Sequence, residues 1–415
     1  MTKFYLKSMG CKSNQFEGQI VAEKLIEAGY VGVNNIKKLD KGDYYILNSC
    51  SVTHKSDNEA MYLLRHAHSA GMKTILTGCI AQIEQNELLK KDFIDYVYGN
   101  EDKFKLAEYL KQNQNYAVKN LMEENEFYPV ILNDTTKTRI SLKIQDGCDN
   151  RCSYCIIPFG RGKSRSAKSD FIINEINRYA ENGYKEVVLT GIHIGLYEGG
   201  LLPLLQRIEK ETTIPRYRLG SLNPHEITTK LLDFLQTSDK FCPHFHLSLQ
   251  SACDSTLKRM NRHYTVAYYL DQIEDIVSRF NKPFIGSDII AGFAGETEEE
   301  FETTVENLSK SKLTKIHVFP YSIRKGTAAE HMNGHLPDTV KEQRTNIIKK
   351  ISENKYNIFL QKNINTRRKT LIEKRPDKHT GKFKGVTDNY IKLILDNGEF
   401  NKISEVLITE NNICK

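Results

Sequence analysis

The sequence predicts an α/β protein in three parts: an N-terminal α/β domain on a parallel sheet, a central partial (β/α)6 barrel, and a small C-terminal all-β barrel. Three observations lead there. Short apolar runs alternate with amphipathic helical patterns through the first hundred residues, and again from about residue 138 to 364. Such alternation marks parallel sheets. The last fifty residues instead show short strand-like runs between turn residues, with no long helix, as small β-barrels do. Finally, 415 residues are too many for one ordinary core.

The first domain is expected over residues 1–112. "FYLKSMGC" reads as a strand ending at Cys11, and "QFEGQIVAEKLIEAGY" as the helix after it. "DYYILNSC" and "KTILTGC" read as strands ending at Cys50 and Cys79. In parallel sheets ligands sit beyond the carboxyl ends of the strands, and each of these strands delivers a cysteine there. The residue before each is small (Gly10, Ser49, Gly78), so a bulky group can approach the backbone. Residues 113–134 are polar, rich in Asn and Gln and without clear period, which predicts a connection.

The barrel is expected over residues 135–364, with strands in "RISLKIQDG", "EVVLTGIH", "RYRLGS", "HFHLSLQ", "FIGSDIIAGF" and "KIHVFPYS". Barrel chemistry sits at the carboxyl ends of the strands. Asp146, His193, Ser221, Gln250, Ser251 and Asp288 gather there. In residues 365–415, "KTLIEK", "KFKGVTDNYIKLILDN" and "ISEVLITE" read as the strands of the small β-domain.

Composition is that of a globular chain, 39% apolar and 27% charged. No apolar run is long enough to cross a bilayer, and the first fifteen residues lack the apolar centre of a secretion signal. The expectation is a cytoplasmic protein with no membrane partner. Nine cysteines in a reducing compartment point to metal or catalysis rather than disulfides. The net charge of +7 is mild, but "RGKSRSAK" (residues 161–168) carries four positive charges and no acid. Residues 362–415 carry 12 Lys and Arg against 7 Asp and Glu. Clustered cations suit either a polyanion or a solvated surface.

"DGCDNRCSYC" (residues 146–155) spaces Cys148, Cys152 and Cys155 as C-x3-C-x2-C directly after the first barrel strand. Three thiolates on one loop can hold three corners of a four-iron cluster and leave the fourth iron open, as catalytic metal sites keep a vacant position. A zinc ion held by these thiols and a distant histidine is the alternative. It would lack the paired knuckles of zinc modules. Cys11, Cys50 and Cys79 make a second set of three, also with one corner open.

"CDNRCSYC" resembles the signature of the radical S-adenosylmethionine enzymes. "MGCKSNQFE", "LNSCSVT" and "TGCIAQ" are similar to the three cysteine motifs of the methylthiotransferases within that superfamily. The likeness spans the whole chain. "GCKSNQ" and "LKIQDGCDNRCSYCIIP" look most like the enzymes acting on N6-threonylcarbamoyladenosine in transfer RNA.

The resemblance implies an N-terminal methylthiotransferase domain, a radical SAM barrel and a TRAM-type (OB-like) C-terminal domain. It implies two [4Fe-4S] clusters, on Cys148, Cys152 and Cys155 and on Cys11, Cys50 and Cys79, with S-adenosyl-L-methionine as cofactor. No catalytic residue is implied beyond the clusters. Gly191, His193, Ser221, Gln250, Ser251 and Gly292 would lie near the cofactor. Arg161, Arg165, Arg367, Arg368, Lys369 and Lys392 would hold RNA phosphates. The implied partners are the anticodon loop of transfer RNA and an electron donor such as a flavodoxin or ferredoxin. The implied reaction is addition of a methylthio group at carbon 2 of the base at position 37. Isopentenyladenosine and a ribosomal-protein aspartate are alternative targets, and a non-catalytic iron–sulfur RNA-binding protein is the alternative class.

The chain departs from the family pattern at Ala252 and Cys253, where Gly and Ser are usual, at Ala294 in place of Pro, and at Asn223 in place of a common Glu. The last weakens an acidic role there. Packing is the expected role of Cys253, and structure that of Cys242 and Cys414. His66, His68, His244 and His246 read as surface or strand histidines, and Tyr390 as an RNA contact or an ordinary strand aromatic.

Overall fold

The computed structural model describes residues 1–133 and 137–414. The chain forms two compact units. The first comprises residues 1–134, 145–167 and 322–330, the second residues 135–144, 168–321 and 331–415. The boundary expected at 134–135 lies outside the described residues.

The first unit is built on six parallel strands: β1 (Lys3–Ser8), β2 (Val31–Gly32), β3 (Tyr44–Ser49), β4 (Lys73–Gly78), β5 (Tyr96–Tyr98) and β6 (Tyr116–Ala117). Their order is β2-β1-β3-β4-β5-β6. β3 is buried at every position, as a strand covered on both faces must be. Helix α1 (Lys12–Glu27) follows β1, and α2 (His54–Ser69) follows β3. The Thr53 side chain caps α2 by accepting from the Ser56 N–H at 3.2 Å, which satisfies one of its orphan donors. Tyr45, Leu47, Leu64, Leu76, Ile80 and Val97 pack in the core, each at most 1% exposed. β6 lies inside residues 113–134, where the sequence predicts only a connection. Its polar composition hides an edge strand, and Leu121, Val130 and Leu132 from the same stretch are buried.

In chain order β7 (Ile140–Lys143) follows and belongs to the second unit. The chain then returns to the first unit for the antiparallel pair β8 (Gln145–Asp146) and β9 (Arg165–Ser166).

The second unit carries the other barrel strands: β10 (Glu186–Thr190), β11 (Arg216–Leu219), β12 (His244–His246), β13 (Phe284–Ala291) and β14 (Lys315–Pro320). Parallel ladders give β11-β10-β7 and β12-β13-β14, and bridges Tyr217–Phe241 and Leu222–Leu247 join them. All six expected strands are present, as an open parallel sheet in barrel order. The helix Asp338–Asn363 then leads to β15 (Arg367–Ile372), β16 (Phe383–Thr387), β17 (Lys392–Leu395) and β18 (Ile403–Leu407). These make an antiparallel sheet of order β17-β16-β15-β18.

Arg216 and Arg218 anchor that sheet to the barrel. Both pair with the buried carboxylate of Glu186, at 2.6 and 2.9 Å. Their remaining donors reach the carbonyls of Lys369, Val386, Thr387 and Asp388. Tyr390 is packed rather than displayed. Its ring lies 4.5 Å from that of His244, and the Arg218 guanidinium lies 5.2 Å above it. Tyr390 lies in the turn between β16 and β17 with φ +72°, so the expected strand aromatic is instead a packed turn residue.

Candidate functional site

β1, β3 and β4 are adjacent and parallel, so Cys11, Cys50 and Cys79 emerge side by side at one edge of the first unit's sheet. Cys11 begins the turn into α1, Cys50 follows β3, and Cys79 opens a short helix, α3 (Cys79–Ile83). Two polar side chains staple these turns together. The Asn14 amide donates to the carbonyls of Met9, Asn48 and Ser49 at 2.8, 3.1 and 3.0 Å. The Ser49 hydroxyl donates to the Thr77 carbonyl at 2.6 Å and accepts from the Ile80 N–H at 3.1 Å. Gly10 has φ +82°, and a Cβ there would lie 2.5 Å from both Cβ and Sγ of Cys50, so only glycine leaves this thiol its place. Cys50 is buried. Burial, with the neighbouring Cys79 thiol, pushes its pKa up to about 12.

The loop of Cys148, Cys152 and Cys155 belongs to the same unit. The Gln145 amide holds it from within, donating to the carbonyls of Asp146 and Gly147 and to the Ser164 hydroxyl at 3.0, 2.8 and 3.0 Å. The Cys148 N–H donates to the Gly162 carbonyl at 3.1 Å. A strap at residues 322–330 touches both thiol sets. Arg324 donates to the Ser51 hydroxyl at 2.7 Å, next to Cys50, and pairs with Asp57 at 2.5 Å. The Ala329 N–H donates to the Ser153 carbonyl at 2.8 Å, between two cysteines of the loop.

Arg161 and Arg165, expected on RNA phosphates, are buried at 1% and 3% exposure, which corrects that expectation. Arg161 pairs with Glu17 at 2.5 Å and Asp146 at 3.4 Å, and Arg165 with Glu101 at 3.2 Å. Lys103 is fully buried and reaches the other Glu17 oxygen at 2.6 Å. The local signal "RGKSRSAK" gave the charge but not the distant carboxylates, Glu17 and Glu101, that remove it from solvent. Asn100 completes the network. Its amide donates to the Gly160 carbonyl at 2.6 Å and to Cys79 Sγ at 3.6 Å, and its oxygen accepts from Lys103 at 3.1 Å.

The nine cysteines carry thiols rather than disulfides. Among the described residues no group of His, Cys, Asp and Glu is gathered as a single metal ion needs. A lone zinc draws its thiolates to about 2.3 Å, whereas an iron–sulfur cluster takes them at separate corners. The donor set suits the latter: two thiol-only triads, with the buried cations Arg161 and Lys103 in electrostatic reach of Cys79 to balance thiolate charge.

In the second unit a polar network caps the carboxyl ends of β10, β11 and β12. His193 is buried, and its Nε2 meets the Glu226 carboxylate and the Asn223 amide. The Asn223 N–H donates to Glu226 at 2.8 Å, and Arg262 reaches the Asn223 oxygen and the Ser248 carbonyl. Glu226 was missed from sequence, although "NPHE" has the capping-box spacing that the structure forms. It supplies the acid that Asn223 lacks. Ser251 is buried and accepts from the Cys253 N–H at 3.3 Å. Gln250 has φ +72°, and its backbone exchanges bonds with Asp288 and Ile290. Ser221 is exposed and Gly191 partly so. The Gly292 N–H is taken by the Glu296 carboxylate at 2.7 Å.

On the C-terminal sheet Arg367, Lys369 and Lys392 are exposed. Arg368 is buried and donates to the Asn281 carbonyl at 2.5 Å, so it does not face RNA. Side chains alternate along a strand, and Arg368 takes the inward place between two outward cations. A basic groove of about 570 Å³ was not foreseen. Lys137, Arg139, Arg375, Lys378 and Lys384 line it with Glu373 and Asp377.

Two family matches divide the chain: Uncharacterized protein family UPF0004 over residues 3–99, and the Radical SAM superfamily over residues 142–308. Threonylcarbamoyladenosine tRNA methylthiotransferase MtaB of Bacillus subtilis is 32% identical over 94% of this chain and 90% of its own length. Its counterpart in Aquifex aeolicus is 34% identical over 98% and 100%. The tRNA-2-methylthio-N(6)-dimethylallyladenosine synthase of Thermodesulfovibrio yellowstonii is 34% identical over 82% and 80%. Among solved structures, the radical S-adenosylmethionine methyltransferase TsrM of Kitasatospora setae superposes with a TM-score of 0.55 at 12% identity, covering 77% of this chain and 75% of that one. That likeness shows the fold. With two thiol triads on an α/β unit and a six-strand parallel barrel, the chain belongs to the radical S-adenosylmethionine methylthiotransferase family.

Proposed function

We propose that the chain is a transfer-RNA methylthiotransferase, adding a methylthio group to carbon 2 of N6-threonylcarbamoyladenosine at position 37. The observation that carries this is the second thiol set: Cys11, Cys50 and Cys79 at three adjacent strand ends, beside a complete C-x3-C-x2-C loop in the same unit. A purely structural site closes itself with a fourth ligand, whereas both sets leave a corner open.

Cys148, Cys152 and Cys155 would hold one [4Fe-4S] cluster, and Cys11, Cys50 and Cys79 the other. With S-adenosyl-L-methionine the bound groups supply a carbon-centred radical and the methylthio donor. The chain's own residues position and dry the site. Asn14 and Ser49 fix the three N-terminal turns. Gln145 and Arg324 hold the thiol loops, and the His193–Glu226–Asn223 network offers fixed polar groups to the cofactor at the strand ends. Exposed Arg367, Lys369 and Lys392 suit RNA phosphates, which set register while the pocket selects the base. Residues 1–112, 135–364 and 365–415 then serve as auxiliary-cluster, radical and TRAM-type RNA-binding domains. An electron donor of the flavodoxin or ferredoxin kind completes a cytoplasmic system. No helix among the described residues is long and apolar enough to cross a membrane.

The test is anaerobic reconstitution with iron and sulfide, then incubation with S-adenosylmethionine, a reductant and transfer RNA bearing threonylcarbamoyladenosine. The reading expects roughly eight irons per chain, deoxyadenosine release and a methylthiolated nucleoside. Two intact clusters with no deoxyadenosine would favour a non-catalytic RNA-binding protein.

A further inference from the structure

The inner face of the second unit's barrel carries a polar group that no role above uses. In a parallel ladder, paired residues share a face. His246 pairs with Gly286, Asp288 with His317, and Ile290 with Phe319. Gly286, Asp288 and Ile290 alternate along β13, so His246, Asp288, His317 and Phe319 all lie on one face across three strands. The opposite face of β13 is sealed: Ile285, Ser287, Ile289 and Ala291 are each 0% exposed. The inner face is open. The His246 and Asp288 side chains are 17% and 29% exposed, and Phe319 is 46% exposed. His246 Nε2 and Asp288 Oδ2 are 2.9 Å apart, and the His246 and His317 rings stack at 5.6 Å and 21°.

Strands of a parallel sheet covered on both faces are ordinarily continuous apolar runs; β13 lies inside its ladder, while β14, which carries His317 and Phe319, is the edge. Two imidazoles and a carboxylate set beside an exposed aromatic ring are a departure that suits a ligand: a flat ring to stack on, and donors and acceptors next to it. Bases taken out of a loop are held by stacking on aromatic side chains and by hydrogen bonds at their edges. We propose that His246, Asp288 and His317 form the seat for a polar, hydrogen-bonding N6 substituent on the target adenine, with Phe319 as the stacking surface. The trio thereby sets specificity for such a substituent over a hydrocarbon one. This rests on the methylthiotransferase reading above and deepens it. A substituent bearing amide, hydroxyl and carboxylate groups can pair with all three side chains, its N–H and O–H donating to Asp288 and its carboxylate accepting from the imidazoles. An isopentenyl group would displace water from this polar face and offer no donor or acceptor in its place, so the desolvation of these side chains would go uncompensated. Sites built to hydrogen-bond a substrate reject analogues lacking the group far more strongly than apolar pockets reject a missing methylene, which costs about 10- to 200-fold. Because this face is partly open, roughly 100-fold discrimination is expected.

The experiment compares anticodon stem–loop RNAs carrying threonylcarbamoyladenosine, isopentenyladenosine or adenosine. It measures kcat/KM with the reconstituted full chain, and equilibrium binding to the chain without iron. The expected result is a preference of about 100-fold for the threonylcarbamoyl RNA. His317→Phe and Asp288→Leu should each reduce it about tenfold or more, while His317→Gln retains most of it. Binding should show the same ordering. A ratio unchanged in His317→Phe and Asp288→Leu, or equal loss on both RNAs, overturns the proposal. A wild-type chain that modifies neither RNA overturns the underlying reading, while the binding comparison still decides the role of the trio.

Discussion

Replacing Arg161 by methionine separates a structural cation from an RNA-binding one. Methionine keeps a flexible apolar stem of similar reach and removes the charge and its hydrogen bonds. Arg161 is 1% exposed and holds Glu17 at 2.5 Å and Asp146 at 3.4 Å. Burial alone would lower its pKa, but Glu17 and Asp146 more than reverse this and raise it well above the ordinary value, so the group is charged throughout. Removing one partner of a buried ion pair costs about 3–5 kcal/mol, because the other is left uncompensated. Glu17 keeps Lys103 at 2.6 Å, which places the expected loss near the lower limit, about 3 kcal/mol. The assay is urea denaturation of the chain without iron, followed by a probe in the first unit, such as amide exchange on β3. The midpoint should fall at unchanged slope. The salt dependence of RNA binding should not change. A phosphate contact predicts the reverse: stability within about 0.5 kcal/mol of wild type, and a salt slope shallower by about one unit. That result would refute the buried network as the role of Arg161.

Asn100→Ala removes the donor at Cys79 Sγ. Hydrogen bonds to cluster sulfurs help set reduction potentials, so the cluster proposed on Cys11, Cys50 and Cys79 should become harder to reduce. A spectroscopically monitored redox titration of a chain lacking Cys148, Cys152 and Cys155 checks this. Gly10→Ala drives a Cβ to 2.5 Å from Cys50 Sγ, so with the two clusters proposed above, iron bound after reconstitution should fall by about half, the share of one four-iron cluster, as iron analysis would show. Burial would raise the pKa of Glu186, but Arg218 and Arg216 beside it reverse this and hold it at about 2. A depressed carboxylate stabilises the fold above its unfolded value of about 4.5, and that contribution, about 3 kcal/mol, is lost as pH falls towards 2. The second unit of Glu186→Gln should therefore show a flatter stability profile between those limits in acid denaturation. Arg375→Glu with Lys378→Glu, both lining the basic groove, should weaken RNA binding uniformly across sequences and reduce its salt slope.

Strand positions were legible because parallel strands write themselves as apolar runs: "DYYILNSC" and "EVVLTGIH" became β3 and β10, with bounds within one to three residues. Both thiol sets were legible too, the loop by its spacing and the N-terminal set by the rule that strand ends gather ligands. β6 was not, because a two-residue edge strand in a polar stretch has no period to read. The charges misled for a different reason. Arg161, Arg165 and Arg368 look like phosphate ligands in a linear basic run, but their partners lie far off in sequence, Arg161 with Glu17 and Arg165 with Glu101. Burial of a cation is a tertiary fact, and composition does not carry it. His246 reads as a strand histidine and is one. Its meaning comes from Asp288 and His317 on neighbouring strands, which only the register brings together.

The most direct test of the central claim is mass spectrometry of transfer-RNA nucleosides from cells with and without this gene. Methylthio transfer to threonylcarbamoyladenosine predicts that 2-methylthio-N6-threonylcarbamoyladenosine disappears when the gene is absent, while its unmethylthiolated parent accumulates and isopentenyl nucleosides stay as they are. An unchanged level of that nucleoside, or loss of the methylthiolated isopentenyl form instead, would contradict it.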